Sequence, residues 1–409
     1  MPSSAASESA RERMIATAAA LLAERGLRSL TARSLAEMTG QSASAVNYHF
    51  AGREGLLAAT FEVSARGVAD WRETWLATLA AAPPPAAFPN WFLAHILASL
   101  ARAEDLLVLR ELRHHAARAS VHRSLAGEVQ AASDAFWERV ADEFALRPGA
   151  AGVCADFSEA ILGIHGGAPD HPDQMAWLME TTQRLCARLA GDRGGAPGWD
   201  GWRQQARVRA RRPARPEPVG SNSAPRIAAA AAEVLGRAGM EALTHRAVAA
   251  EAGFSLAAVS GYFPSRASLV QAAFDHLIGA IQSVRGGAVP DLAERRPVAE
   301  VAREMAETLF DAEGAALPGL LALDELLTAA IRDGELRREA EDLRASRGEN
   351  SAELLDRLDH ATQAADGLDA HLLSIITTGA MRSAYVMEPQ TRRGWLTRRL
   401  EASLSALLG

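Results

Sequence analysis

The chain has 409 residues, 48% hydrophobic and 23% charged, long enough for two or more domains with real cores. A formal charge of -7 excludes a globally basic nucleic-acid coat, so any surface for DNA must be local. All 43 basic residues are arginine, which rules out Schiff-base lysines and the lysine of phosphate-binding loops.

The opening MPSSAASESARERM lacks the apolar core of a signal peptide, and no apolar run is long enough to span a bilayer. A cytoplasmic protein without membrane contact is expected. Cys154 and Cys186 are too few and too scattered for a disulfide framework or a zinc site, and read as core thiols.

A first helix is predicted from about Ser9 to Arg25, with Met14, Ala18, Leu21 and Leu22 at helical spacing and Gly26 where a left-handed cap is wanted. Thr31 then caps a short helix, ARSLAEM. After the turn Thr39-Gly40-Gln41, Ser42 caps a third helix, ASAVNYHF. The same order returns at an offset of 213: the segment from Arg13 aligns without a gap with the segment from Arg226. Identities include Gly26/Gly239, Thr31/Thr244, Arg33/Arg246, Gly40/Gly253, Ser42/Ser255, Val46/Val259, Phe50/Phe263 and Arg53/Arg266. In the second copy Pro225 is expected at the first helical position, where its missing N–H is harmless. Weaker echoes follow, Leu109–Glu111–Leu112 with Leu323–Glu325–Leu326 and Trp177–Leu178 with Trp395–Leu396, so each half reads as a complete unit.

Two short helices joined by a turn containing glycine describe a helix-turn-helix, whose second helix can enter the major groove. With its flanks, "helix, Gly, Leu-Thr, short helix, Gly-x-Ser, Val-Asn-Tyr-His-Phe, Arg-Glu-x-Leu-Leu", the segment resembles the tetracycline-repressor (TetR) family. The resemblance is strong over residues 11–61, good over 226–274 and only architectural elsewhere. It implies an all-α tandem duplication: helix-turn-helix domains at 1–61 and 226–274, and helical ligand-binding and dimerisation domains at 62–190 and 275–409. Residues 191–225, rich in Gly, Pro and Arg, form a linker. The family's last two helices pack in a four-helix bundle with those of a partner; here one chain carries both sets, so a monomeric pseudo-dimer is expected, with a homodimer as the alternative. A flexible linker of this length reaches ~30–35 Å on average, which permits the closed arrangement.

By the same resemblance, the first copy faces DNA with Thr31, Arg33, Gln41, Ser42, Ala43, Ser44, Asn47, Tyr48, His49 and Arg53. The second does so with Thr244, Arg246, Ser255, Leu256, Ala257, Ser260, Tyr262 and Arg266. Asn and Gln can pair with adenine, and Ala can touch a thymine methyl. The second set is poorer in base-reading groups, so an operator with unlike half-sites is expected; the alternative is a second copy that serves only as a scaffold. For Tyr48 and His49 the alternative to DNA contact is packing or capping, and Arg33 and Arg246 read equally as partners of Glu37 or of a nearby acid on the helix surface. Phe50 and Phe263 read as core. Arg203, Arg207, Arg209, Arg211, Arg212 and Arg215 make the linker the most basic stretch, either lying on phosphates or simply solvated.

The family typically leaves DNA when a small molecule fills an apolar pocket. The first sensor region is far richer in aromatics than the second, so Trp91, Phe92 and Phe157, with His95, Arg110 and His114 as polar contacts, are the expected effector site. The alternative for these rings is plain core. His114, His115 and His122 with Glu111 lack metal-site spacing, and no nucleophile elbow, phosphate loop or strand pattern supports catalysis. A ligand-responsive repressor without metal or cofactor is expected, the alternative being a small-molecule sensor acting through a protein partner.

Overall fold

A computed structural model of the chain describes residues 4–79, 83–166, 172–192, 222–284, 296–310, 316–358 and 365–408, with 201 and 204. The linker arginines named above, from Arg203 to Arg215, lie outside the described residues. Among the described residues the fold is helical, with no strand.

The first half contains α1 (Ser4–Arg25), α2 (Ala32–Thr39), α3 (Ala43–Phe50), α4 (Arg53–Ala77), α5 (Phe88–Ala101), α6 (Ala103–Arg118), α7 (Arg123–Glu143), α8 (Ala150–His165) and α9 (Pro172–Leu189). The second contains α10 (Ser223–Ala242), α11 (His245–Ala252), α12 (Leu256–Tyr262), α13 (Arg266–Val284), α14 (Val298–Leu309), α15 (Ala316–Arg332), α16 (Gly334–Ser346), α17 (Glu349–Asp356), α18 (Gly367–Tyr385) and α19 (Pro389–Leu408). The duplication is visible element by element, save that the place of α7 is taken by two helices, α16 and α17. They are parted at Gly348, whose φ of 94° no side-chain-bearing residue adopts without strain.

Local signals explain the helix ends. The hydroxyl of Thr31 accepts from Ser34 N–H at 3.0 Å and that of Ser42 from Ala45 N–H at 3.1 Å. Thr244 and Ser255 do the same for Ala247 and Ala258. Gly40 and Gly253 end their helices in the left-handed region. Two expectations shift: α1 begins at Ser4 rather than near Ser9, and α10 begins at Ser223, which puts Pro225 at the third helical position. It still lies in the first turn, where backbone N–H groups have no helical partner.

The first head and the helices that follow it share one core: Met14, Leu22, Leu35, Val46 and Phe50 pack with Phe61, Val108 and Leu112 of α4 and α6. A second core crosses between halves, where Phe157, Ala160 and Ile161 of α8 meet Leu372, Ile375 and Ile376 of α18. All six side chains are buried, and all but Ala160 are large enough to be worth ~1.5–3 kcal/mol apiece. Helices α8, α9, α18 and α19 touch one another in every combination, making a four-helix bundle within one chain. The expected intramolecular pseudo-dimer is therefore the observed fold. Gly379 lets α18 come against α8 so closely that a Cβ there would lie 1.8 Å from the Asp156 carbonyl oxygen. Cys154 and Cys186 are buried free thiols; burial pushes Cys186 up to about 12.

Candidate nucleic-acid interface

On the first reading head, the caps at Thr31 and Ser42 set α2 and α3 against each other, and Val46 and Phe50 turn the inner side of α3 into the core. The opposite side is left to solvent: Gln41, Ala43, Ser44, Asn47 and Tyr48 are exposed, Tyr48 to 84%. His49 is half-buried, its ring edge-on to Tyr48 at 5.4 Å. Arg33 is exposed and bonds Glu37 at 3.0 Å. On the second head Leu256, Ala257, Ser260 and Tyr262 are exposed along α12, as is Arg246 on α11. Phe263 is half-buried against the core there rather than enclosed like Phe50.

The arginines that open α4 and α13 turn inward. Arg53 donates to the carbonyls of Leu30 (3.1 Å) and Leu27 (3.0 Å), and Arg266 donates likewise to Leu243 (3.2 Å) and Met240 (2.6 Å). Each pins the loop that leads into the helix-turn-helix. The two heads then meet unequally. Arg53 pairs with Glu241 of the second head, whereas Arg266, at the equivalent place, faces Arg28; burial first, and then that like charge, lower its pKa.

Further in, the later helices of each unit grip the opposite head. Arg118, in the last turn of α6, binds Glu325 at 2.8 Å and donates to the Gly236 carbonyl of α10 at 3.1 Å. Arg332, in the last turn of α15, binds Glu111 at 2.6 Å and donates to the Ala23 carbonyl of α1 at 2.6 Å. These two clamps are related by the internal repeat, and each satisfies orphan carbonyls at the end of a head's first helix.

The family model for bacterial regulatory proteins of the tetR family matches residues 14–60 and 227–273, the two segments that build these heads. The chain is a TetR-type DNA-binding transcriptional regulator with two such units. No curated protein matches it. Among the described residues of this TetR-type chain, no helix is long and apolar enough to cross a membrane.

At the centre of the contact between TetR units, repeat-related positions carry opposite charges. Arg110 of α6 faces Asp324 of α15, 3.4 Å apart and both buried. Arg110 also donates to Thr328 at 3.0 Å, and the mirror contact is His114 to Asp324 at 2.8 Å. Arg382 joins Asp324 from α18 and donates to the Glu159 carbonyl of α8 at 2.9 Å. Burial raises the Asp324 carboxyl, but Arg382, Arg110 and His114 outweigh it and hold its pKa well below the usual range. Burial and Arg382 lower Arg110 to about 10. Thus Arg110 and His114, expected to greet an effector, serve the seam between units.

The expected aromatic set of the first unit packs ring on ring. His95 is boxed by Trp71, Trp75, Trp91, Phe136 and Trp137 at centroid distances of 4.9–5.6 Å, and Phe92 lies against Trp137 and Phe157. Both His95 ring nitrogens are buried without a partner; burial and then Arg72 lower its pKa to about 3. Open space lies elsewhere. One cavity of about 300 Å³ in the first unit is lined by Leu97, Leu100, His165, Met175 and Leu178. A larger one, about 400 Å³, occupies the second unit, walled by Met305, Leu320, Leu323, Leu327, Leu343 and Met381, with Asp324, Arg347 and Thr377 among its polar groups. Arg347 Nε and Thr377 Oγ1 are buried without a partner. Sequence reasoning missed this cavity because aliphatic walls carry no distinctive signal. It also missed Glu54, which meets His115 and His122 only in space.

Proposed function

We propose that one chain occupies one operator as a closed pseudo-dimer, reads two unlike half-sites ~34–36 Å apart between centres, and represses until a small molecule releases it. The observation that carries this reading is Arg110 facing Asp324. In a symmetric pairing of first units, two buried arginines would meet without a carboxylate between them, whereas the pairing within one chain supplies it. The linker adds to that preference by making the pairing intramolecular, at an effective concentration on the order of millimolar.

In this reading the heads are residues 1–61 and 226–274, the sensor regions 62–190 and 275–409, and residues 191–225 the connection. Gln41, Ser44, Asn47 and Tyr48 read bases or backbone for the first unit, and Leu256, Ala257, Ser260 and Tyr262 for the second. Ser42, Thr244 and Ser255 use their oxygens as caps, leaving the hydroxyl hydrogens for phosphates, whereas the Thr31 hydroxyl both caps α2 and donates to the Ser34 hydroxyl at 3.0 Å. The effector enters the cavity of the second unit as a largely apolar molecule bearing an acceptor for Arg347 and Thr377. Support comes from its unsatisfied donors and from α15, which lines the cavity and ends in Arg332 on the first head.

The deciding experiment is the molar mass of the purified protein, free and bound to a selected DNA site. One chain per site is expected. Two chains per site would overturn the closed reading and reduce the second head to a scaffold.

A further inference from the structure

Away from the heads' outer faces and the cavities, three side chains from two parts of the first unit converge. Glu54 stands in the first turn of α4, within the head; His115 lies in the last turn of α6, and His122 in the short turn before α7. Nε2 of His122 lies 3.1 Å from Oε2 of Glu54, and Nε2 of His115 lies 3.4 Å from the same oxygen. The three ligand atoms all fall within 4.8 Å of one another.

His122 is fixed by the edge of its ring against Phe61, 5.5 Å between centroids, and the two imidazoles lie 5.2 Å apart. Nε2 of His115 is buried and makes no hydrogen bond, although it points at the cluster. A tetrahedral ion with ligands at ~2.0–2.2 Å wants its ligand atoms ~3.3 Å apart, a spacing that two of the three contacts already approach. Two imidazole nitrogens and one carboxylate oxygen suit zinc and its borderline neighbours, and not magnesium or calcium.

We propose that Glu54, His115 and His122 form a site for one divalent cation of the zinc class, with water at the fourth position on the exposed side of Glu54. The site belongs to the first unit alone. The repeat puts Ala267, Ala329 and Leu336 at the equivalent places, none of which can ligate. An ion here ties the head's α4 to the end of α6, three residues from Arg118, which holds the other head. Both heads are then fixed to one point, so the ion changes operator affinity; this last step rests on the DNA-binding reading above.

The test uses the full chain without a purification tag, stripped of metal and titrated with zinc chloride, first without DNA. One ion per chain is expected, with a midpoint of thermal unfolding raised by ~5 °C at saturation. Glu54→Gln and His115→Gln should each weaken binding ~tenfold or more and remove the shift, with metal-free stability unchanged in Glu54→Gln because that side chain is half exposed. Should His115→Gln fail to fold, Glu54→Gln decides alone. No bound zinc, or a stoichiometry and affinity untouched by Glu54→Gln, overturns the site. With zinc bound, operator affinity should shift at least threefold in the parent and not in Glu54→Gln; an unchanged affinity overturns the coupling while leaving the site standing.

Discussion

Asn47 and Arg266 stand for two kinds of side chain that a sequence cannot tell apart. Both occupy positions expected to face DNA, yet Asn47 is exposed on α3 while Arg266 spends its guanidinium on two backbone carbonyls. Asn47→Ala should therefore cost ~1–3 kcal/mol of operator affinity and relax one base preference in a library of sites. Arg266→Ala should lower folding stability by ~1–3 kcal/mol and leave the salt slope of binding as it was, because no phosphate contact is lost. His95 gives a second residue-scale test. Unfolded, it takes a proton near 6.5; folded in its aromatic box, near 3. Stability is thus full above 6.5 and falls as the pH drops toward 3, by ~2 kcal/mol at pH 5. Denaturant unfolding of His95→Leu should lack this acid-side loss, and a parental pH dependence in that variant would show that His95 is not its source.

At the scale of helices, close approach governs. Gly379→Val places branched carbon against the Asp156 backbone and should force α18 off α8, with a fall in thermal midpoint of ten degrees or so and loss of operator binding. A variant that melts like the parent would mean the bundle yields easily. Caps, turns and amphipathic spacing act within a few residues, which is why both helix-turn-helix segments were legible down to Thr31, Ser42 and their repeats. The clamps of Arg118 and Arg332 and the inward turn of Arg53 span from about two dozen to more than 300 residues of chain, and no local pattern encodes them. Likewise the aromatic wealth of the first unit beyond its head signalled a pocket but built a filled core. Rings at helical spacing look the same whether they enclose space or occupy it. The split of α16 from α17 hangs on Gly348, one glycine among 32.

Across the whole molecule, Asp324 is the anion on which both units depend. Replacing it with Asn leaves Arg110 and Arg382 buried together without a counter-charge, which should cost ~3–5 kcal/mol by denaturant unfolding at neutral pH. Because its carboxyl titrates well below the ordinary range, the parent should keep this contribution down through mildly acid pH, losing it only as the pH falls below that range. If Asp324→Asn unfolds at the same denaturant concentration as the parent, the seam between units is held by its apolar packing alone.

The unequal heads carry a further consequence. A body built from two unlike halves has no axis that exchanges its ends, so once seated on DNA it has a left and a right. Arg53 with Glu241 lies to one side of the centre, and Arg28 with Arg266 to the other. Inverting the site in front of a promoter would then turn a different end of the protein toward polymerase. Two genes reading outward from one shared site would meet the same bound molecule from opposite ends, and need not be regulated to the same degree.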